Sequence, residues 1–188
     1  MPHTLHTIFL LEWSEMNVLL IGYRGSGKST VGKELASQLW KQFVDLDQLV
    51  CDRFGGKTIQ EIWVDPGEQA FRAMEARVMG QVLASDNQVV ALGGGTVMVD
   101  EARCSIEQAE HAVCIYLKCS ADELHRRIDG DQARQESRPA SATARLPERV
   151  ETELEQREPV YEQVADHVFD VTYVEPNEVV RYLIQRCL

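Results

Sequence analysis

The segment Gly22-Tyr-Arg-Gly-Ser-Gly27-Lys28-Ser29 constrains this chain more than any other stretch. It fits the pattern GxxxxGK[ST] and lies between the apolar run Asn17 to Ile21 and a segment where Val31, Leu35 and Leu39 recur every four residues. The first reads as a strand buried on both faces and the second as an amphipathic helix, so the glycines occupy a strand-to-helix turn. Such a turn lets backbone N–H groups converge on phosphate oxygens at a positive helix end. Gly25, Ser26, Gly27, Lys28, Ser29 and Thr30 are therefore the expected contacts of a nucleoside triphosphate. Lys28 is placed on the outer phosphates and the Ser29 hydroxyl on Mg²⁺.

The rest of the chain repeats the alternation of strand and helix. Phe43-Val44, Gln88 to Leu92, Ala112 to Leu117 and His167 to Val171 read as further strands. Thr58 with Glu61, and Ser120 with Glu123, have the spacing of capping boxes that open helices. A helix is expected after Gly67, with Phe71, Met74, Val78 and Val82 on one face; others start at Pro147 and Asn177. The pattern predicts one α/β domain with a parallel sheet over residues 16–188. Residues 1–15 precede the first strand and carry no motif, so they are expected to be an N-terminal extension that is flexible and dispensable.

Charge and cysteine content narrow the function classes. With 19 Lys plus Arg against 30 Asp plus Glu, the net charge of −11 gives no general grip on nucleic acid. Cations that hold an anionic substrate must then be concentrated locally. No apolar run reaches the roughly 18 residues of a membrane span, and the N-terminus lacks the basic region of a signal peptide. The five cysteines form no CxxC pair and are odd in number, which predicts reduced thiols and a cytoplasmic location.

Other candidate residues stand at strand ends. Asp45 and Asp47 follow the second strand, where parallel α/β sheets gather their ligands. Two residues apart on an extended segment, they would point the same way, one toward the metal's water shell and one toward a substrate hydroxyl. Alternatively, Asp47 simply caps the next helix. Gly93-Gly94-Gly95 is either a plain turn or a place where backbone approaches a ligand. Arg72 stands three residues before Glu75, the spacing of an exposed helical ion pair. Between positions 124 and 157 there are seven arginines and no lysine, balanced by seven acids. That composition hints at forked recognition of carboxylate or phosphate, with most of the seven solvated.

Taken in order, these motifs resemble the shikimate kinases. The likeness runs from Met16 onward through the glycine loop to Thr30, Phe43 to Asp47, Gly67-Glu-Gln-Ala-Phe-Arg72 with Glu75, Gly93 to Gly95, Arg138-Pro139, and Arg157-Glu-Pro-Val-Tyr161. It implies the nucleoside monophosphate kinase fold: three layers around a five-stranded parallel sheet in the order 2-3-1-4-5, with a mobile lid at about 130–145. It also implies transfer of the γ-phosphoryl of ATP to the 3-hydroxyl of shikimate, a step of aromatic amino-acid biosynthesis, with Mg²⁺ as cofactor. By the same resemblance Asp45 places the metal together with Ser29, and Asp47 binds the shikimate hydroxyls and serves as base. Arg72 and Arg157 clamp the carboxylate, Gly94 and Gly95 offer backbone, and Glu75 orients the cluster. Arg138 closes over the transferred group, and Arg127 and Pro176 bracket the adenine. ATP and shikimate are the expected partners of a monomer that binds neither nucleic acid nor membrane. The chain departs from the family after Arg138-Pro139, where members commonly carry leucine and here Ala140-Ser141-Ala142-Thr143 follows. A kinase of another small polyol acid such as gluconate, or a catalytically silent ATP-binding regulatory module, are the alternatives. The arginine and glycine set argues against the first, and intact Lys28, Ser29, Asp45 and Asp47 against the second.

Overall fold

The computed structural model describes residues 15–130 and 146–187. The expected extension and lid, including Arg138 and Ala140, lie outside those residues but for the end positions Glu15 and Gly130. Glu15 is already tied to the domain, because its carbonyl accepts a hydrogen bond from Asn87 N at 3.2 Å.

Five strands, β1 (Asn17–Ile21), β2 (Gln42–Asp45), β3 (Gln88–Ala91), β4 (Ala112–Lys118) and β5 (His167–Asp170), form one parallel sheet in the order β2-β3-β1-β4-β5. The inner strands β1 and β3 are buried at every position, which accounts for their unbroken apolar character. The edge strands are more open: β2 has one buried position, Val44, and β5 alternates half-buried and exposed ones. Helices α1 (Lys28–Leu39) and α8 (Pro176–Arg186) pack together, as do α4 (Glu68–Leu83), α5 (Asp100–Glu107) and α7 (Leu146–Val164). Phe71, Val78 and Val82 of α4 are buried on the expected face, and Met74 packs against the core from a half-buried position. The long chain between β4 and β5 begins with α6 (Ala121–Gly130).

Of the short helices, α5 goes beyond the sequence expectation, while α2 (Leu46–Arg53) is the helix expected after Asp47 and starts one residue before it. A third, α3 (Ile59–Ile62), has the full capping box of Thr58 and Glu61, and a kinked turn over Trp63–Gly67 leads from it into α4. At α6 only half of the predicted box forms. Ser120 Oγ accepts from Glu123 N at 3.4 Å, while the Glu123 carboxylate is held by Arg126 and Arg127.

Topology alone brings the candidate segments to one edge. Leu20, Ala91 and Asp45 sit in one row across β1, β3 and β2. The glycine loop, the Gly93–Gly95 loop and the start of α2 all leave the sheet just beyond that row, at the carboxyl ends of adjacent parallel strands.

Candidate active site

The glycine loop is shaped by its backbone. Gly27 caps α1 in the left-handed conformation at φ 96°, a region that L side chains rarely occupy, and this turns the following N–H groups toward the loop's mouth. Lys28 is 8% exposed and its ammonium donates to the carbonyls of Gly22 and Tyr23 at 2.8 and 2.9 Å, folded over the loop that it is expected to serve. The Ser29 hydroxyl donates to Asp45 Oδ2 at 2.9 Å. A hydroxyl and a carboxylate side by side at the loop's exit are hard oxygen donors, the kind that Mg²⁺ takes alongside phosphate and water. The residues present therefore fit the ion.

The two aspartates correct the sequence expectation. The strand ends at Asp45 and Leu46 opens α2, so the pair does not share an extended segment and strand alternation does not align them. Asp45, not Asp47, is the helix cap, accepting from Gln48 N at 3.3 Å. Asp47 falls in the first turn of α2, where its Oδ1 reaches the backbone of Gly93, so close that a β-carbon there would collide with it.

Arg72 likewise differs from the exposed pair that its spacing suggested. Its Nη1 meets Glu75 Oε2 at 2.8 Å, and Glu75 is fully buried, receiving a second hydrogen bond from Thr96 Oγ1 at 2.5 Å. Burial pushes the Glu75 carboxyl above the usual carboxylate range, opposed by the charge of Arg72 and the bond from Thr96. The guanidinium is stacked near the rings of Trp63 and Phe71, at 5.7 and 5.6 Å from their centroids. A β-carbon on Gly95 would stand 2.9 Å from Arg72 Nη2, so glycine there admits the arginine.

Arg157 arrives from α7. Its Nη2 pairs with Glu153 Oε2 at 2.8 Å, and its Nη1 donates to the Gly94 carbonyl at 3.3 Å. The same carbonyl accepts from the Tyr161 hydroxyl at 2.5 Å, leaving the Gly94 N–H as the backbone group this glycine can offer. Glu153 also binds Arg149 Nε at 2.6 Å and the Tyr23 hydroxyl at 3.0 Å. Together Asp47, Arg72, the three glycines and Arg157 line one cavity of about 80 Å³. Trp63, Phe71, Arg24, Arg149 and Glu153 line it too, and none of these was a candidate from sequence. The arginine-rich composition around α7 was the available signal for Arg149. Of the four described arginines in that stretch, Arg126 alone is largely exposed; Arg127, Arg149 and Arg157 are at most 27% exposed, so the expectation that most are solvated does not hold for them.

Four arginines against two carboxylates make this cavity locally cationic in a chain of net charge −11. It adjoins a larger cleft of about 950 Å³ that runs past Gly25, Gly27, Lys28, Ser29 and Asp45 to Arg127. Arg127 is fixed by Glu123 at 2.7 Å and by the carbonyls of Val171 and Thr172 at 2.9 and 3.1 Å. Pro176, the first residue of α8, lines a neighbouring surface with Ser29 and Thr30 rather than the wall that holds Arg127.

A parallel sheet in this order, with a GxxxxGK[ST] loop after β1 and an anion cavity beside it, defines a P-loop kinase. Comparison with known proteins narrows the class. The sequence model of shikimate kinase matches residues 24–188. The shikimate kinase of Salinibacter ruber is 37% identical over 82% of this chain and 76% of its own length. That of Legionella pneumophila strain Corby is 34% identical over 89% of this chain and 94% of its own. Among solved structures, shikimate kinase from Acinetobacter baumannii in complex with shikimate superposes with a TM-score of 0.83 at 26% identity, over 93% of this chain and 94% of that one. The chain belongs to the shikimate kinase family.

Proposed function

We propose that the protein transfers the γ-phosphoryl group of ATP to the 3-hydroxyl of shikimate, giving shikimate 3-phosphate and ADP for aromatic amino-acid biosynthesis. The observation that carries this is the cationic cavity, a single space lined by Arg72, Arg157 and Asp47 together. Two guanidinium groups are a fork-shaped match for one carboxylate, and Asp47 then accepts the hydrogen bond of a ring hydroxyl. The Gly94 and Gly95 backbone completes the cradle, and Glu75 keeps Arg72 in place.

On the nucleotide side, Lys28 leaves the loop carbonyls for the outer phosphates, and the N–H groups of Gly25 to Thr30 receive their oxygens. Ser29 and Asp45 would hold Mg²⁺, which when bound neutralises phosphate charge. Arg127 and Pro176 flank the adenine, and Arg138, assigned to the transferred group by the family resemblance, lies outside the described residues. The acceptor oxygen bonds to phosphorus as the bond to the ADP oxygen breaks, and the hydroxyl proton passes to Asp47. Little covalent work falls to the protein, so positioning and charge stabilisation supply most of the rate.

The scheme asks for no residue from a second copy, in keeping with a monomer. All five cysteines are free thiols, which suits a reducing cytoplasm. Among the described residues no helix is long and apolar enough to cross a membrane. The test is an ADP-release assay with shikimate, with gluconate and without acceptor. Turnover with shikimate alone is expected. Equal turnover with gluconate, or release independent of either, overturns the assignment.

A further inference from the structure

Arg24, the third residue of the glycine loop, has no task in the scheme above. Two of its guanidinium nitrogens, Nε and Nη2, are buried without a hydrogen-bond partner. The other arginines around the acceptor cavity are accounted for: Arg72 by Glu75, and Arg149 and Arg157 by Glu153. A guanidinium cannot shed its charge, and buried donors left unmet are disfavoured, so a fold that keeps them is suited to a ligand that supplies the acceptor.

The position of Arg24 says which ligand atoms those are. Among the described charged residues, Arg24 and Asp47 are the two that line both the nucleotide cleft and the acceptor cavity. A cation and a carboxylate thus stand on the lining that the two spaces share. Arg24 is also held in place. Its Cζ lies 5.8 Å from the Tyr23 ring centroid, the ring has Arg157 Cζ at 5.4 Å, and the Tyr23 hydroxyl is bound by Glu153. Its backbone N is close to Gly94, where an added β-carbon would stand only 3.3 Å away.

Resting on the kinase reading, we propose that Arg24 is a catalytic residue that donates Nε–H and Nη2–H to non-bridging oxygens of the γ-phosphoryl group in transit from ATP to the hydroxyl held at Asp47. Charge on those oxygens must be met in the transition state, and a cation fixed beforehand meets it without reorganising. The acceptor oxygen–phosphorus bond forms, the phosphorus–ADP oxygen bond breaks, the proton goes to Asp47, and Arg24 neither gains nor loses one.

The test compares the full-length wild type with Arg24→Gln, Arg24→Lys and Arg24→Ala, using Mg²⁺-ATP and shikimate. Arg24→Gln should lower kcat about 100-fold or more, with both KM values within about threefold and ADP binding unchanged. Arg24→Lys should recover part of the rate, and free guanidinium ion should partly rescue Arg24→Ala. Thermal stability should equal or exceed that of the wild type, since an unmet buried cation is gone. Rescue by guanidinium is a response that a purely structural arginine would not give. A kcat within about threefold of wild type, a raised shikimate KM at unchanged kcat, or a loss that guanidinium does not restore each overturns the role. If the wild type itself shows no shikimate-dependent ADP release, the kinase reading falls together with this one. Wild-type turnover matched by Arg24→Gln removes Arg24 alone.

Discussion

The nucleotide side and the acceptor side of the site are assembled in different ways. The first is mostly one stretch of chain, residues 22–30, whose ligands are backbone N–H groups, one lysine and one hydroxyl. The second draws on α2, the turn after α3, α4, the Gly93–Gly95 loop and α7, and its ligands are side chains that need other side chains to hold them. Backbone donors are positioned by the loop itself, whereas the arginines are positioned by Glu75 and Glu153. Damage should therefore stay local on the nucleotide side and spread on the acceptor side.

The largest effect should come where the two sides touch. Asp47→Asn should cut kcat about 100-fold or more, because an amide cannot take the hydroxyl proton. ADP affinity, measured by titration calorimetry, should hold within about twofold if the sides are as separate as their construction suggests. A parallel loss of ADP binding would break the comparison.

Arg72→Lys and Gly95→Ala attack one contact from opposite directions. The lysine removes the fork, while the alanine pushes the intact guanidinium aside from 2.9 Å. Each should raise the shikimate KM about tenfold and leave the ATP KM unchanged. Gly95→Ala should hardly lower the melting temperature, since the atom it meets is the far end of a flexible side chain. A severe loss of stability would mean that the loop backbone, not Arg72, yields.

Glu153→Gln should act at a distance. Its carboxylate holds Arg149, Arg157 and the Tyr23 hydroxyl, so the neutral variant loosens Arg157 without touching substrate. A rise of about three- to fivefold in shikimate KM is expected, with kcat less affected. No change in KM would show that the Gly94 carbonyl alone keeps Arg157 in place.

The smallest effect concerns Glu123, the nucleotide side's own supporting carboxylate. The hydrogen bonds of Arg126 and then Arg127 hold its carboxyl down, from the ordinary 4.5 to about 2. Because the folded value is the lower one, this stabilisation is complete above the ordinary value and fades as pH falls toward about 2. Wild type and Glu123→Gln should thus differ in melting temperature above pH 4.5 and converge toward pH 2, by a few degrees at most. A constant difference across that range would detach Glu123 from the acid limb.

Local pattern was enough wherever one segment carries its own physics. The glycine loop, the Thr58–Glu61 capping box and the unbroken apolar strands β1 and β3 all form as read, because their hydrogen bonds and burial follow from neighbours in sequence. The short helix α5 falls below what periodicity can register, since eight residues make barely two turns. Asp45 and Asp47 do not align as an extended pair, because the strand ends at Asp45, two residues short of Asp47, and Asp45 serves as the helix cap.

The sequence by itself determined that this chain winds a parallel sheet behind a phosphate loop, because apolar period and glycine spacing are properties of contiguous residues. Only the tertiary structure decided what the arginines do. Arg72 is an ordinary helical pair in sequence and becomes a cavity wall because β3 delivers Gly95 and Thr96 against it. Arg24, an unremarked loop residue in one dimension, lines both cavities because β3 lies beside β1 and Gly94 meets the loop's backbone. A charged side chain takes its role from the groups that desolvate and partner it, and across a parallel sheet those groups are dozens of residues away.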